Sequence, residues 1–593
     1  MRSRPLLVLA LLAWGITLWS CSESDSPAAP VVDDDGTDTP SDDPSDTPSD
    51  SPSTSDTLEE ALAANASVLA DPGDGWQSDV LHPITFGGST VTTDASGVTW
   101  DGETLTITEA GSFELSGVLD DGRIVVDAED QGQVTLVLAG LHAHSSQGSP
   151  LSIAGADLTL LYLASNASNT LSDASEYVFD DSEDDEPDAA LFSADDLVIA
   201  GAGQLTVVGS YNDGISSKDR LLILGGDIDV TAVDDGVRGK ESVALLGGTL
   251  DIDAGGDGVK SDQDDDDAEG FVYVAGGTLR LASGDDGIQA ETDILVGAGS
   301  VDIESGGGHS TSSGDESAKG LKANVSIILG DGAVSIDASD DGVNCDGEVL
   351  IDGGTLSIAS GDDGIKSDLR VEVRGGVTEI SDAVEGIEAP AILVEGGELH
   401  AEASDDVLNS TYGYDGESDD GSSLTIAGGY VYAASVRGDC IDSNGDFTVS
   451  GGTLVVHGPR SQPEVAIDVN GTFTVQGGFL IASAVASNMT ETPSSASGQT
   501  TLVLRASQSL SAGTLFHIED ADGTSLLTFA PERSYSAVTF SSPALANGAS
   551  YRIYTGGSCT GEVVDGLYEG GSYSGGTLRT TVTVSRVAQS VSF

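Results

Sequence analysis

From Gly201 to Gly478 apolar and polar residues alternate in short bursts, and glycine turns of two kinds break the bursts. The segment GGTLDIDAGGDGVKSD (Gly247 to Asp262) recurs as GGTLRLASGDDGIQAE (Gly276 to Glu291), GGTLSIASGDDGIKSD (Gly353 to Asp368) and GGDIDVTAVDDGVRGK (Gly225 to Lys240). Alternation with a period of two sends successive side chains to opposite faces of a strand. Each copy therefore predicts a Gly-Gly turn, a strand with two inward apolar residues, an acidic Asp-Gly turn and a second short strand. About ten copies, each of about 22 residues, predict an all-β chain folded as a β-solenoid.

The register follows from the apolar residue behind each acidic turn: Ile215, Val237, Val259, Ile288, Leu321, Val343, Ile365, Ile387, Leu408, Ile441 and Ile467. Successive spacings are 22, 22, 29, 33, 22, 22, 22, 21, 33 and 26 residues, so the longer ones carry insertions that must leave as loops. Two residues further on stands an almost wholly small row, from Ser217 and Gly239 through Ser261, Ala290, Ala323, Cys345 and Ser367 to Ser443. Residues i and i+2 point the same way, so a large row and a small row share the interior. Leu250, Leu279 and Leu356, with Ile252, Leu281 and Ile358, add two more inward rows. Rungs paired along the axis rise about 4.8 Å each.

Outside the repeats the chain divides further. Residues 1–21 read as an export signal: Arg2 and Arg4 precede an apolar run too short to span a membrane, and Leu18-Trp19-Ser20-Cys21 resembles a bacterial lipobox with Cys21 as the lipidated residue. Residues 22–56, rich in Ser, Asp, Thr and Pro, read as an acidic, disordered tether. Residues 57–83 predict a short helix and lead-in, 84–490 the solenoid, and 499–593 a C-terminal β cap or accessory domain. An acidic insertion, Tyr177 to Asp188, interrupts the opening rungs.

A net charge of −78 over 593 residues argues against nucleic acid as a partner, because phosphate recognition needs a basic surface. It favours cations. Cys345 in the small row and Cys440 in a turn read as structural thiols, and no disulfide or zinc pattern emerges. No nucleophile elbow, zinc-binding His pair or phosphate loop is present. Only Trp76 and Trp100 follow the signal segment, so a broad aromatic platform for sugars is hard to build; Tyr412, Tyr414, Tyr430 and Tyr432 are the possible exceptions.

Candidate chemistry lies at the acidic turns. Asp213, Asp234, Asp235, Asp257, Asp285 and Asp286 stack along one edge, and Asp262, Asp264 and Asp266 form a dense insertion beside it. Like charges one rung apart repel by about 1 kcal/mol each in water and by more at lower dielectric. Either each carboxylate accepts N–H bonds within its own Asp-Gly turn, or the edge takes Ca²⁺, which seeks six to eight oxygens. Directly behind the apolar anchors runs an outward row holding Arg238, Lys260, Lys322 and Lys366. It serves either to balance the carboxylates or to bind carbohydrate along the axis.

With DDGVRGKESVALLGGTLDIDAGGDGVKSD and SYNDGISSKD, the chain resembles a family of exported bacterial carbohydrate-binding proteins. The resemblance implies a right-handed parallel β-helix of pectate-lyase-like shape, Ca²⁺, and plant-type polysaccharides such as cellulose and polygalacturonate. The Trp-Ile-Asp-His and Arg-x-Pro-x-x-Arg segments of true pectate lyases are missing, which argues against lyase activity. The expectation is a monomeric lipoprotein, anchored at the outer membrane or cell surface, that binds an acidic or cellulose-like polysaccharide without catalysis. A calcium-dependent polysaccharide lyase and a structural adhesin or stalk are the alternatives.

Overall fold

The computed structural model describes residues 57–128, 132–179, 186–312, 317–413 and 418–593. The export signal, Cys21, the tether and Tyr414 lie outside the described residues. Strands dominate: the only α-helix among the described residues is Leu58–Ala64. No helix of the described residues is long and apolar enough to cross a membrane.

The repeats build three parallel ladders, here called short, middle and long. Val237–Gly239, Ser242–Leu245 and Thr249–Ala254 are successive strands of one repeat. Each pairs with its equivalent in the next, namely Val259–Ser261, Phe271–Val274 and Thr278–Ser283. The short ladder is a 16-stranded sheet, and the other two join into a 33-stranded one. Their junction is the twelve-residue strand Gln133–His144, which bends at Gly140 (φ +89°). Before the bend it pairs with Leu158–Leu163 of the middle ladder, and after it with Ser168–Ser172 of the long one. Buried Asn169 fixes the bend by accepting the N–H groups of Gly140 (2.9 Å) and Leu141 (3.0 Å) and donating to the Gln204 carbonyl (2.9 Å).

The register expected from the sequence is the one the strands adopt. Ile215 pairs with Val237, Val237 with Val259, Val259 with Ile288, and so on to Leu408 with Ile441. These anchors join Leu250, Ile252, Val243 and Leu245 in one buried cluster running from Ile84 to Ala484. Each such aliphatic side chain contributes roughly 1.5–3 kcal/mol by leaving water. Small residues follow the anchors because the chain turns there and its hydroxyls serve the bend: Ser217 Oγ donates to the Asp195 carbonyl (3.0 Å) and Ser367 Oγ to that of Gly347 (2.6 Å). The Asp-Gly glycine is required by close approach. A Cβ on Gly236 would stand 2.3 Å from Ile252 Cγ2 and 2.7 Å from the Gly258 carbonyl oxygen. The Gly-Gly turn instead needs its second residue in the left-handed region, as at Gly248 (φ +88°).

Two outer faces are covered. Leu58 and Leu62 of the helix pack on Leu295, Ile328 and Leu350 of the middle ladder. The lead-in lays Val68, Leu69 and Trp76 over Leu160, Val198, Leu222 and Ala244, with Trp76 tilted against Tyr162 at 4.7 Å. At the other end Phe479–Ala484 of the long ladder pairs antiparallel with Tyr535–Ser541, which pairs with Thr501–Leu510. A further six-stranded sheet completes the C-terminal part. There Tyr430 Oη donates to Asp565 (2.8 Å) and Tyr432 Oη to Glu532 (3.1 Å), while buried His457 bonds the Asp565 carbonyl through Nε2 (2.9 Å). Tyr430 and Tyr432, open to a sugar-stacking role in the sequence, thus serve as contacts to the C-terminal strands.

Candidate functional site

The acidic turns stack as a continuous edge with one bonding scheme. Asp257 N–H donates to Asp235 Oδ1 (3.0 Å), Asp286 N–H to Asp257 Oδ1 (3.0 Å), and Lys319 N–H to Asp286 Oδ1 (2.8 Å). Asp363 N–H bonds Asp341 Oδ1 in the same way (3.1 Å), as does Asp439 N–H with Asp406 Oδ1 (2.6 Å). One of the two expectations for the edge puts these N–H donors within each aspartate's own turn. They come from the next rung, because the parallel register sets the amide of one repeat directly over the carboxylate of the one before.

The second carboxylate oxygen meets the basic row. Lys260 Nζ lies 2.8 Å from Asp257 and 3.3 Å from Asp235, Lys322 Nζ 3.2 Å from Asp286, and Lys366 Nζ 3.0 Å from both Asp363 and Glu388. Asn344 Nδ2 donates to Asp341 Oδ2 (2.7 Å), filling the place of a lysine. Arg238 departs from the scheme and pairs with Asp262 of the insertion at 2.6 Å. All four basic candidates are thus engaged within the edge, and a sugar carboxylate would have to compete with a resident aspartate.

The edge is electrostatically costly. Burial, and then the charges of neighbouring carboxylates, push Asp257 up to about 6, Asp363 to about 7 and Asp213 to about 8, with the lysines pulling back on the first two. Burial opposes the charge on Lys260, but Asp235 and Asp257 outweigh it and hold the ammonium above its ordinary range. A general base working near neutrality needs the opposite shift.

Asp213 is the outlier of the row. It is 0% exposed, its Oδ1 accepts from Asn212 Nδ2 (3.0 Å), and its Oδ2 has no hydrogen-bond partner. Asp188, whose charge adds to the upward shift of Asp213, also has a buried oxygen, Oδ1, without a partner. An unsatisfied buried carboxylate oxygen is costly, and a hard cation satisfies it. At this end of the edge Asp213 Oδ2 and Asp188 Oδ1 are two oxygens that a hard cation could take, with Lys218 Nζ 3.5 Å from the other Asp188 oxygen. Elsewhere the nine metal candidates differ in setting. Asp235, Asp257 and Asp286 are buried and hold both an N–H and an ammonium. Asp285 is half-buried, while Asp234, Asp264 and Asp266 are exposed, the last accepting Ala268 N–H (3.0 Å). Outside the nine, Asp340, Asp341 and Asp362 bring ligand oxygens within 4.8 Å of one another. Lys319 Nζ reaches that group, 2.5 Å from Asp340 and 3.5 Å from Asp341.

Residues 101–364, which build most of this edge, match the model of a family described as carbohydrate-binding domain-containing protein. A relative of the same description from Acetivibrio thermocellus is 36% identical over 155 residues, 26% of this chain and 54% of its own length. The chain thus spans about half the length of the curated relative it matches. A solved structure described as a polysaccharide lyase-like protein from C. thermocellum, a gadolinium derivative, is 31% identical, covering 46% of this chain and 97% of that one with a TM-score of 0.37. The family match and the sequence relative make the repeats similar to carbohydrate-binding domain-containing proteins.

Proposed function

We propose that the protein binds polysaccharide without catalysis, in a manner that depends on Ca²⁺, and that its preferred ligand is an acidic, pectin-like glycan. In this reading the ladders wind as a right-handed parallel β-helix, and a lipid on Cys21 holds a monomer at the outer membrane or cell surface. The observation that carries the reading is the coincidence of two things. The carbohydrate-binding match falls on the repeats that form the acidic edge, and that edge ends in the orphaned oxygens of Asp213 and Asp188. Ca²⁺ held there would offset the negative charge by which the edge otherwise repels an acidic glycan. The raised pKa of Lys260, and the ion pair on Arg238, favour binding over elimination chemistry, which needs a free base.

Affinity electrophoresis in polygalacturonate gels, with Ca²⁺ and with EDTA, tests the proposal. Retardation that EDTA abolishes is the expected result. Retardation unchanged by EDTA overturns the calcium dependence, and no retardation by any glycan favours the adhesin or stalk. Unsaturated uronate absorbing in the ultraviolet after incubation with pectate and Ca²⁺ would make the protein a lyase.

A further inference from the structure

We infer that the polysaccharide lies along the open outer face of the long ladder, where Arg280 reads a sugar carboxylate. The inference rests on the carbohydrate-binding reading above and narrows it to one surface. Covering elements single that surface out. The middle ladder's outer face from Leu160 to Leu350 lies under the helix and lead-in, the short ladder's edge is engaged in its own ion pairs, and the long ladder from Tyr430 to Phe479 meets the C-terminal strands.

Between Asp229 and Asp337 the long ladder instead holds a trough of about 590 Å³. A second hollow of about 370 Å³, lined by Thr278, Ser300 and Thr355, shares Arg280, Asp302 and Ser335 with it and so extends it. One column of outward residues forms its floor. Asp229, Asp251, Arg280, Asp302, Ser335 and Ser357 are register partners in succession, one per rung. Six rungs span about 24 Å from first to last, the reach of a chain rather than of a single sugar. On one flank His309, from the insertion after Ser305, donates its backbone N–H to Asp337 Oδ1 (2.6 Å) and sets its ring Nδ1 2.8 Å from the same oxygen.

The lining chemistry is that of glycan recognition. Carboxylates and hydroxyls accept from sugar hydroxyls, and they recur at the rung spacing, as the hydroxyls of a polymer recur. Among the described residues Arg280 is the only cation lining either hollow. Its Nη1 donates to Asp251 Oδ1 (2.8 Å), which steadies the guanidinium while 55% of the side chain remains exposed. The rest of its planar fork of five donors suits a carboxylate. In contrast to Lys260 and Lys366, it contacts one aspartate rather than two carboxylates.

The test compares the full chain with Arg280→Gln, with Asp251→Ser/Asp302→Ser, and with Arg552→Gln, a surface change on the C-terminal strands. Apparent affinities are read against polygalacturonate in Ca²⁺ and against a soluble neutral β-glucan, with thermal melts as the folding check. Arg280→Gln is expected to weaken polygalacturonate binding at least tenfold and β-glucan binding less than twofold. The double variant should weaken both, and Arg552→Gln neither. If wild type binds while both trough variants stay within twofold of it, the trough is wrong and the carbohydrate reading survives. Equal loss of both glycans in Arg280→Gln overturns its role toward the carboxylate. Wild type that binds neither glycan overturns the carbohydrate reading and the trough together.

Discussion

Replacing Asp257 separates hydrogen bonding from charge pairing in the acidic edge. Its Oδ1 accepts the buried Asp286 N–H at 3.0 Å, and its Oδ2 meets Lys260 at 2.8 Å. Asp257→Ala strands the Asp286 amide, a loss of about 1–3 kcal/mol for an unsatisfied buried donor. The ion pair adds no more than about 1 kcal/mol, because Lys260 is partly solvated and keeps Asp235 at 3.3 Å. Relief of carboxylate burial acts the other way, since Asp257 is pushed up to about 6. Asp257→Asn keeps an oxygen for the amide but sets an Nδ2 donor where Oδ2 accepted from Lys260, which turns to Asp235, so its cost should stay within about 1 kcal/mol. Native-state hydrogen exchange at Asp286 reads the effect locally, which matters because repeat arrays do not always unfold in two states. Alanine should speed that exchange and asparagine should nearly preserve it. If asparagine is as damaging as alanine, charge pairing rather than amide capping holds the edge, and the account of the ladder fails.

Three further outcomes are expected. Asp257, Asp363 and Asp213 have folded pKa values raised to about 6, 7 and 8, so the stability they contribute is full below the unfolded carboxylate value and is lost as pH rises through those values. Melting of the repeats in EDTA should therefore fall between pH 5 and 8, and Ca²⁺ should restore it at pH 8. His457 behaves in the opposite sense: burial lowers its pKa and its Nδ1 accepts Glu532 N–H (3.1 Å), so its contribution is present above the usual histidine value and lost as pH falls below it. Increased proteolysis of the C-terminal strands near pH 5, absent at pH 7.5, checks this. Gly236→Ala forces a Cβ to 2.3 Å from Ile252 and should cost about 1–3 kcal/mol in urea unfolding, where Gly75→Ala, exposed and with open space for a Cβ, should not.

The rung register was legible because a parallel stack repeats its inward side chains: Ile215, Val237 and Val259 must be large, and Ser217, Gly239 and Ser261 small, for each rung to lie on the last. The basic row next to the acidic edge was legible for the same reason. Which oxygen each lysine meets was not, because that depends on the next rung's amide claiming Oδ1 first. Outward positions of the long ladder bear no packing constraint, so nothing in the pattern distinguishes Asp251, Arg280 and Asp302 from solvated residues. The covering of Tyr430 and Tyr432 depends on Asp565 and Glu532, more than 90 residues away, which no local pattern encodes.

Stacked carboxylates, with Asp213 left one hydrogen bond short, are proposed to recruit a divalent cation. Calorimetric titration of Ca²⁺ into the chelator-treated full chain, wild type beside Asp213→Asn, tests it most directly. Saturable binding is expected, weakened at least tenfold by the substitution while the melting profile stays cooperative. Absence of binding heat, or identical isotherms for the two proteins, would contradict it.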